Sequence, residues 1–184
     1  MYETGAGGSA PKHVQQVQKE GHLRWDSLGE YLALTCVFED LAKAKPLAQS
    51  LSEALNNAVG TFLNANKNPS RKVKEIDNRG SHYWVARYWA DELAKMPEAK
   101  IAPELAKVFS ATAKELAENE GKILQDMIDC QGSPVDLGGY YRVNKEKADK
   151  AMQPSETFNT IIKNLTKSGD EHPSQSGLSA SVKD

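Results

Sequence analysis

Residues 46–64 read PLAQSLSEALNNAVGTFLN, and their apolar positions decide the fold class. Leu47, Leu51, Leu55, Val59, Phe62 and Leu63 recur every three or four residues. That spacing lines one face of a helix with 3.6 residues per turn, and a strand with its period of two would scatter it over both faces. Pro46 suits the first helical turn, where a missing N–H leaves nothing unpaired. Upstream, Ser27 and Glu30 form a capping-box pair ahead of Tyr31, Leu32, Ala33, Leu34, Cys36, Val37 and Phe38. These apolar side chains surround their helix, so the pattern predicts a central helix with the 46–64 helix packed on it.

Downstream, NANKNPSRKVKEIDNRG at 64–80 is polar, holds Pro69 and Gly80, and carries Arg71, Lys72, Lys74 and Arg79. It reads as a long basic connection. Helical spacing resumes over 81–96 with Tyr83, Trp84, Ala86, Tyr88, Trp89 and Leu93, and Pro97 ends it. A longer stretch from Pro103 to Gln131 carries Leu105, Val108, Phe109, Ala113, Leu116, Ile123, Leu124 and Met127. It is expected to break once near Gly121 and to stop at Gly132 and Pro134. VDLGGYY at 135–141 reads as extended, with Tyr140 and Tyr141 packed, and an amphipathic helix follows Ser155 with Phe158, Ile161, Ile162 and Leu165.

At the other end, the glycines of MYETGAGGSAP (1–11) disfavour a helix, although residues 2–4 could end a strand, and Pro11 then opens a helix over about 12–20 that Gly21 stops. The expected organisation is therefore a glycine-rich loop over 1–11, a helical domain over 12–167 and a disordered tail over 168–184. No repeat and no alternation of helix with strand is visible, so the fold class is all-α, a helical bundle.

The chain has 184 residues, 39% apolar and 26% charged, enough for one domain with a sizeable core. No run approaches the roughly 18 apolar residues of a membrane span, and no signal-peptide order opens the chain; no membrane is expected, and a place in the cytosol is. Cys36 and Cys130 stand far apart without a second Cys or a His at ligand spacing, which argues for two reduced thiols. A formal charge of −2 excludes a generic nucleic-acid binder, which needs a basic face, so any affinity for phosphate must be local.

Two places could provide it. Gly8 and Ser9, with Gly5 and Gly7, lead into the helix after Pro11, and small residues before unpaired helix N–H groups let an anion approach closely. The pattern is neither GxGxxG nor a P-loop, and a flexible leader fits the same residues. Lys12, His13 and Arg24 flank that helix, and such donors could converge on a monoester phosphate or stand as solvated surface charge. Trp25 beside Arg24 could stack or belong to the core. Ser81, His82 and Asp77 have the residue types of a triad but lie too close in sequence to show a triad arrangement, and no nucleophile elbow surrounds Ser81. Glu39 with Asp40, and Asp91 with Glu92, point about 100° apart on helices and read as solvated faces. His22 and His172 are lone histidines, satisfied or exposed by default.

Four motifs in order, YETGAGGSAPKHVQQ (2–16), HLRWDSLGE (22–30), NPSRKVKEIDNRGSHYW (68–84) and VDLGGYY (135–141), resemble the C-terminal region of monomeric NADP-dependent isocitrate dehydrogenases. The likeness extends from about Tyr2 to Leu165. It implies an α-helical part of the small domain of a larger α/β dehydrogenase. That enzyme oxidises isocitrate and decarboxylates it to 2-oxoglutarate, with NADP as hydride acceptor and Mg²⁺ or Mn²⁺ as Lewis acid. The resemblance assigns Gly8 and Ser9 to the loop facing NADP, Lys12, His13 and Arg24 to the 2′-phosphate and adenosine, Trp25 and Asp26 to the same strip, and Arg71 to a further contact. It puts the catalytic residues, the metal ligands and most isocitrate contacts upstream, so this segment is expected to be inactive without that upstream part, its partner. The competing reading is a noncatalytic helical module that binds a phosphorylated nucleotide or another chain.

Overall fold

The structure, a computed structural model, describes residues 10–24 and 28–171, with the backbone alone for 10–12 and 166–171. The described residues form eight helices and no strand: α1 (Ala10–Glu20), α2 (Gly29–Leu41), α3 (Leu47–Asn64), α4 (Asn78–Ala94), α5 (Pro103–Glu118), α6 (Glu120–Asp129), α7 (Lys145–Met152) and α8 (Glu156–Glu171). The all-α reading holds. Residues 1–9, 25–27 and 172–184 lie outside the described residues, and with them the possible strand at 2–4, Ser27, His172 and most of the proposed tail.

The bundle is ordered α2, α3, α4, α5, α8, each helix packing on the next. Its main core joins Leu55, Val59 and Phe62 of α3, Tyr83, Trp84 and Val85 of α4, Leu116 of α5, Ile123 and Met127 of α6 and Ile161 of α8. A smaller cluster of Ala54, Leu93 and Ile101 closes the far end of α3 and α4. Each fully buried Leu, Ile or Phe in these clusters contributes about 1.5–3 kcal/mol of hydrophobic stabilisation. On α3 the stripe is narrower than its spacing suggests. Leu47 and Leu63, expected on the packed face, are exposed, while Ala48 and Phe62, their neighbours in the same first and last turns, are buried.

The central helix is α4, which packs between α3 and α5, and not α2. Apolar residues do surround α2, but among its described residues Thr35 alone is buried, while Leu32, Val37 and Leu41 face outward. Periodicity shows how far round a helix apolar side chains run; the number of neighbours covering them is a tertiary property. The start of α2 differs too. Its N-cap is Leu28, with no side-chain cap bond, in place of the anticipated Ser27.

The basic connection is shorter than expected, because α4 begins at Asn78 and takes Gly80 into its first turn. There is no room for a side chain at that glycine: a Cβ would lie 2.9 Å from Ile76 Cγ2. The 103–131 stretch breaks at Asn119, two residues ahead of Gly121, and Asn119 Nδ2 donates to Glu115 C=O at 2.9 Å. Tyr83, fully buried, donates its hydroxyl to Leu116 C=O at 2.8 Å. Burial, then the nearby Glu120 carboxylate, pushes that hydroxyl up to about 12, so it remains a donor at neutral pH.

VDLGGYY is irregular loop, and its aromatic end does not pack into the body. Tyr141 is 94% exposed and touches Tyr140 edge-on. The polar helix α7 carries no apolar signal in the sequence; Asn144 caps it, accepting from Lys147 N–H at 3.0 Å. Ser155 begins α8 as expected, its hydroxyl accepting from Phe158 N–H at 3.4 Å and donating to Asp126 at 2.8 Å. The backbone of α8 runs through Glu171, four residues past Lys167.

Candidate nucleotide-phosphate site

The candidate site is built around the end of α1. Gly21 stops that helix in the left-handed region, φ +60°, a conformation that costs a residue with a Cβ about 1–2 kcal/mol. A Cβ there would also meet Cys130 C=O at 2.7 Å. The closeness is used: Gly132 N–H donates to Glu20 C=O at 2.6 Å and Val135 N–H to Gln18 C=O at 2.8 Å, anchoring α1 to the loop after α6.

Beyond Gly21 the chain crosses the N-terminus of α4. Asp77 is the N-cap of α4 and is fully buried. Its Oδ1 accepts from Arg79 N–H at 2.9 Å, and its Oδ2 from Leu23 N–H at 3.0 Å and Arg79 Nε at 2.9 Å. Asn78 N–H returns a bond to Leu23 C=O at 2.9 Å. Arg79, also buried, donates further to Gly21 C=O at 2.5 Å and to Ala151 C=O, just before the end of α7, at 2.7 Å. One guanidinium thereby holds α1, α4 and α7 together, which the fork of Arg can do and a lysine cannot.

His22 and Gln131 fasten the 65–77 connection to the same segment. The His22 ring lies 2.8 Å from Gln131 Oε1 through Nδ1 and 3.0 Å from Ser70 C=O through Nε2. Gln131 accepts from Lys74 N–H at 2.9 Å and donates to Glu75 C=O and Met127 C=O, each at 3.0 Å. These bonds hold Lys74 at φ +68°, a conformation uncommon for a residue with a side chain. Cys130, beside the same network, has its thiol pushed up by burial foremost.

The clamp fixes the backbone immediately before two of the cationic residues. Arg24 follows Leu23, pinned on both its N–H and C=O, and Arg71 follows Ser70, pinned by His22. Arg24 is half-buried and Arg71 exposed. His13 is half-buried on α1, about 10 Å of helix axis before Glu20. Lys12 is described by its backbone alone, within the first turn of α1, and Gly8, Ser9, Trp25 and Asp26 lie outside the described residues. The triad residue types serve the scaffold: Asp77 caps α4, and Ser81 Oγ donates to Lys67 C=O at 2.8 Å.

Sequence reasoning missed the clamp itself. An Asp directly before a helix is a visible N-cap signal, and placing the start of α4 earlier would have found Asp77. Gln131 is 109 residues from His22, and nothing local announces their pairing.

Among the described residues no group of three or more His, Cys, Asp or Glu side chains is placed to hold a metal ion. None of the described helices is long and apolar enough to cross a membrane.

The family model described as monomeric isocitrate dehydrogenase matches residues 1–163. The chain is 52% identical over 167 residues to an NADP isocitrate dehydrogenase of Colwellia maris, a match that covers 90% of this chain and 22% of that protein. It is 52% identical over 164 residues to the Azotobacter vinelandii enzyme, covering 88% and 22%, and 53% identical over 169 residues to that of Corynebacterium efficiens, covering 91% and 23%. The chain thus spans less than a quarter of the length of these relatives.

Proposed function

Because the chain belongs to the monomeric isocitrate dehydrogenase family, we propose that it supplies the adenosine 2′-phosphate side of an NADP pocket. The whole enzyme would convert isocitrate to 2-oxoglutarate and CO₂ in the cytoplasm. The observation that carries this reading is the clamp, which sets the backbone before Arg24 and Arg71 with buried hydrogen bonds. A phosphate monoester is a compact dianion, and guanidinium groups on fixed backbone meet it with charge-assisted, geometrically specific bonds. Arg24, Arg71, His13 and Lys12 would hold the 2′-phosphate, with Gly8 and Ser9 in the loop facing the nucleotide and Trp25 and Asp26 beside the adenosine.

The chemistry a bound NADP supplies is acceptance of hydride from the substrate. The part of this chain is to bind and orient: pre-set donors lower the ordering cost of binding and select the 2′-phosphate over the 2′-hydroxyl of NAD. The metal, Mg²⁺ or Mn²⁺, and the isocitrate-binding and catalytic side chains belong, in this reading, to the remainder of the enzyme.

Calorimetric titration of the chain with NADP and then NAD, at low and moderate salt, tests the assignment. NADP should bind in preference. Arg24→Ala and Arg71→Ala should each weaken NADP about tenfold or more, the worth of one charged hydrogen bond, and leave NAD unchanged. Equal affinity for both nucleotides, or variants that weaken both alike, would remove the phosphate reading.

A further inference from the structure

His22 is fully buried, yet both of its ring nitrogens face oxygen acceptors: Gln131 Oε1 at 2.8 Å and Ser70 C=O at 3.0 Å. A neutral imidazole has one donor and one acceptor, so it satisfies one of these oxygens and sets a lone pair against the other. Turning the Gln131 amide does not relieve the conflict. Its Nε2 already donates to Glu75 and Met127 carbonyls and its Oε1 accepts from Lys74 N–H, so a flip breaks three bonds to mend one. The arrangement is complete only with a proton on each nitrogen. Charged and titratable groups come from every side: Glu20 at the end of α1, Lys74 and Glu75 in the connection, Asp77 and Arg79 at the start of α4, Asp129 and Cys130 at the end of α6. Asp77 and Arg79 neutralise one another, and Lys74 Nζ donates to Asp129 C=O at 3.2 Å.

We propose that His22 is a positioning residue for the nucleotide-binding face: as an imidazolium donating from both ring nitrogens, it ties the segment bearing Arg24 to the connection bearing Arg71. The two charge-assisted bonds offset the cost of burying the cation. Loss of one proton turns one bond into a repulsion between lone pairs and frees the Ser70 end or the Gln131 end of the clamp. The spacing of the two arginines, and with it the preference for NADP over NAD, then depends on the charge of a residue that touches neither nucleotide. This consequence rests on the phosphate reading above; the protonation of His22 does not.

The experiment follows the ring-nitrogen NMR signals of His22 in the ¹⁵N-labelled chain across pH, in parallel with NADP and NAD calorimetry on wild type and His22→Gln. Both nitrogens should carry protons at the acid end. The NADP-to-NAD affinity ratio should fall on the order of tenfold as the ring loses one, while ionisation of the 2′-phosphate pushes it the other way. His22→Gln, which retains donors but no titrating ring, should lack that fall. A single-proton tautomer at every pH where the chain is folded overturns the proposal, as does a ratio in wild type that tracks His22→Gln throughout. If His22→Gln does not fold, the ring spectrum of wild type decides. If wild type binds neither nucleotide, the phosphate reading fails, and the ring spectrum with the exchange protection of Leu23 and Asn78 amides still tests the clamp.

Discussion

Replacing Asp77 by Ala should be among the most damaging single changes in this chain, and its cost follows from the groups left behind. The carboxylate caps α4 through Arg79 N–H, holds Leu23 N–H and pairs with the Arg79 guanidinium. Loss of an N-cap costs about 1 kcal/mol. Stranding a buried arginine is larger, about 3–5 kcal/mol, and includes much of the first effect because the same atoms are involved. A total near 4 kcal/mol, with a urea slope of about 2 kcal/mol per molar, lowers the unfolding midpoint by about 2 M. The double variant Asp77→Ala/Arg79→Leu should lose less than the sum of its parts, since no charge is stranded; a coupling of about 2 kcal/mol is expected. A loss under about 1 kcal/mol for Asp77→Ala, the value of an exposed ion pair, or strict additivity in the double variant, would refute the idea that one buried pair organises this corner.

Leu116→Ala empties a site 1% exposed in the main core and should destabilise by about 2–5 kcal/mol in the same urea assay; a change below about 1 kcal/mol would mean the core closes over the gap. Gly21→Ala adds the left-handed penalty to a Cβ at 2.7 Å from a backbone oxygen, so it should cost about 2 kcal/mol or more, with Gly21→Asn milder in backbone conformation but no better in space. At Asp126, burial opposes ionisation, but hydrogen bonds from Lys122 and Ser155 prevail and hold the carboxyl below its ordinary range. A depressed folded value means the stabilisation is present above the unfolded value of about 3.9 and is lost as pH falls through the folded one. Denaturant titrations at successive acid pH should show this loss, and Ser155→Ala should shrink it; an unchanged acid limb would dismiss the coupling of α6 to α8 through these side chains.

Which stretches form helices was legible in the chain. The 46–64 spacing, Pro97, the break near Gly121 and Ser155 at the head of α8 each act within one turn, where apolar periodicity, missing donors and capping groups operate. The helix α7 escaped because KEKADKAM has no apolar stripe, and its capping Asn144 follows the irregular 135–143 loop. What was legible of the candidate site is its proposed cations, since Lys12, His13, Arg24 and Arg71 stand in motifs long enough to carry a family resemblance. That Arg24 and Arg71 share one support was not, for the support is a set of bonds between residues tens of positions apart.

The amino-acid sequence by itself determined the helical class, most helix positions and the family, all of them consequences of local pattern or of long motifs. Only the tertiary structure decided that α4 and not α2 lies at the centre, and that His22, Asp77, Arg79 and Gln131 meet in one buried network. Coverage of a helix face depends on how many neighbours arrive, and a buried polar group is tolerable only beside its partner. Both conditions are met by packing elements distant in the chain, which no local pattern contains.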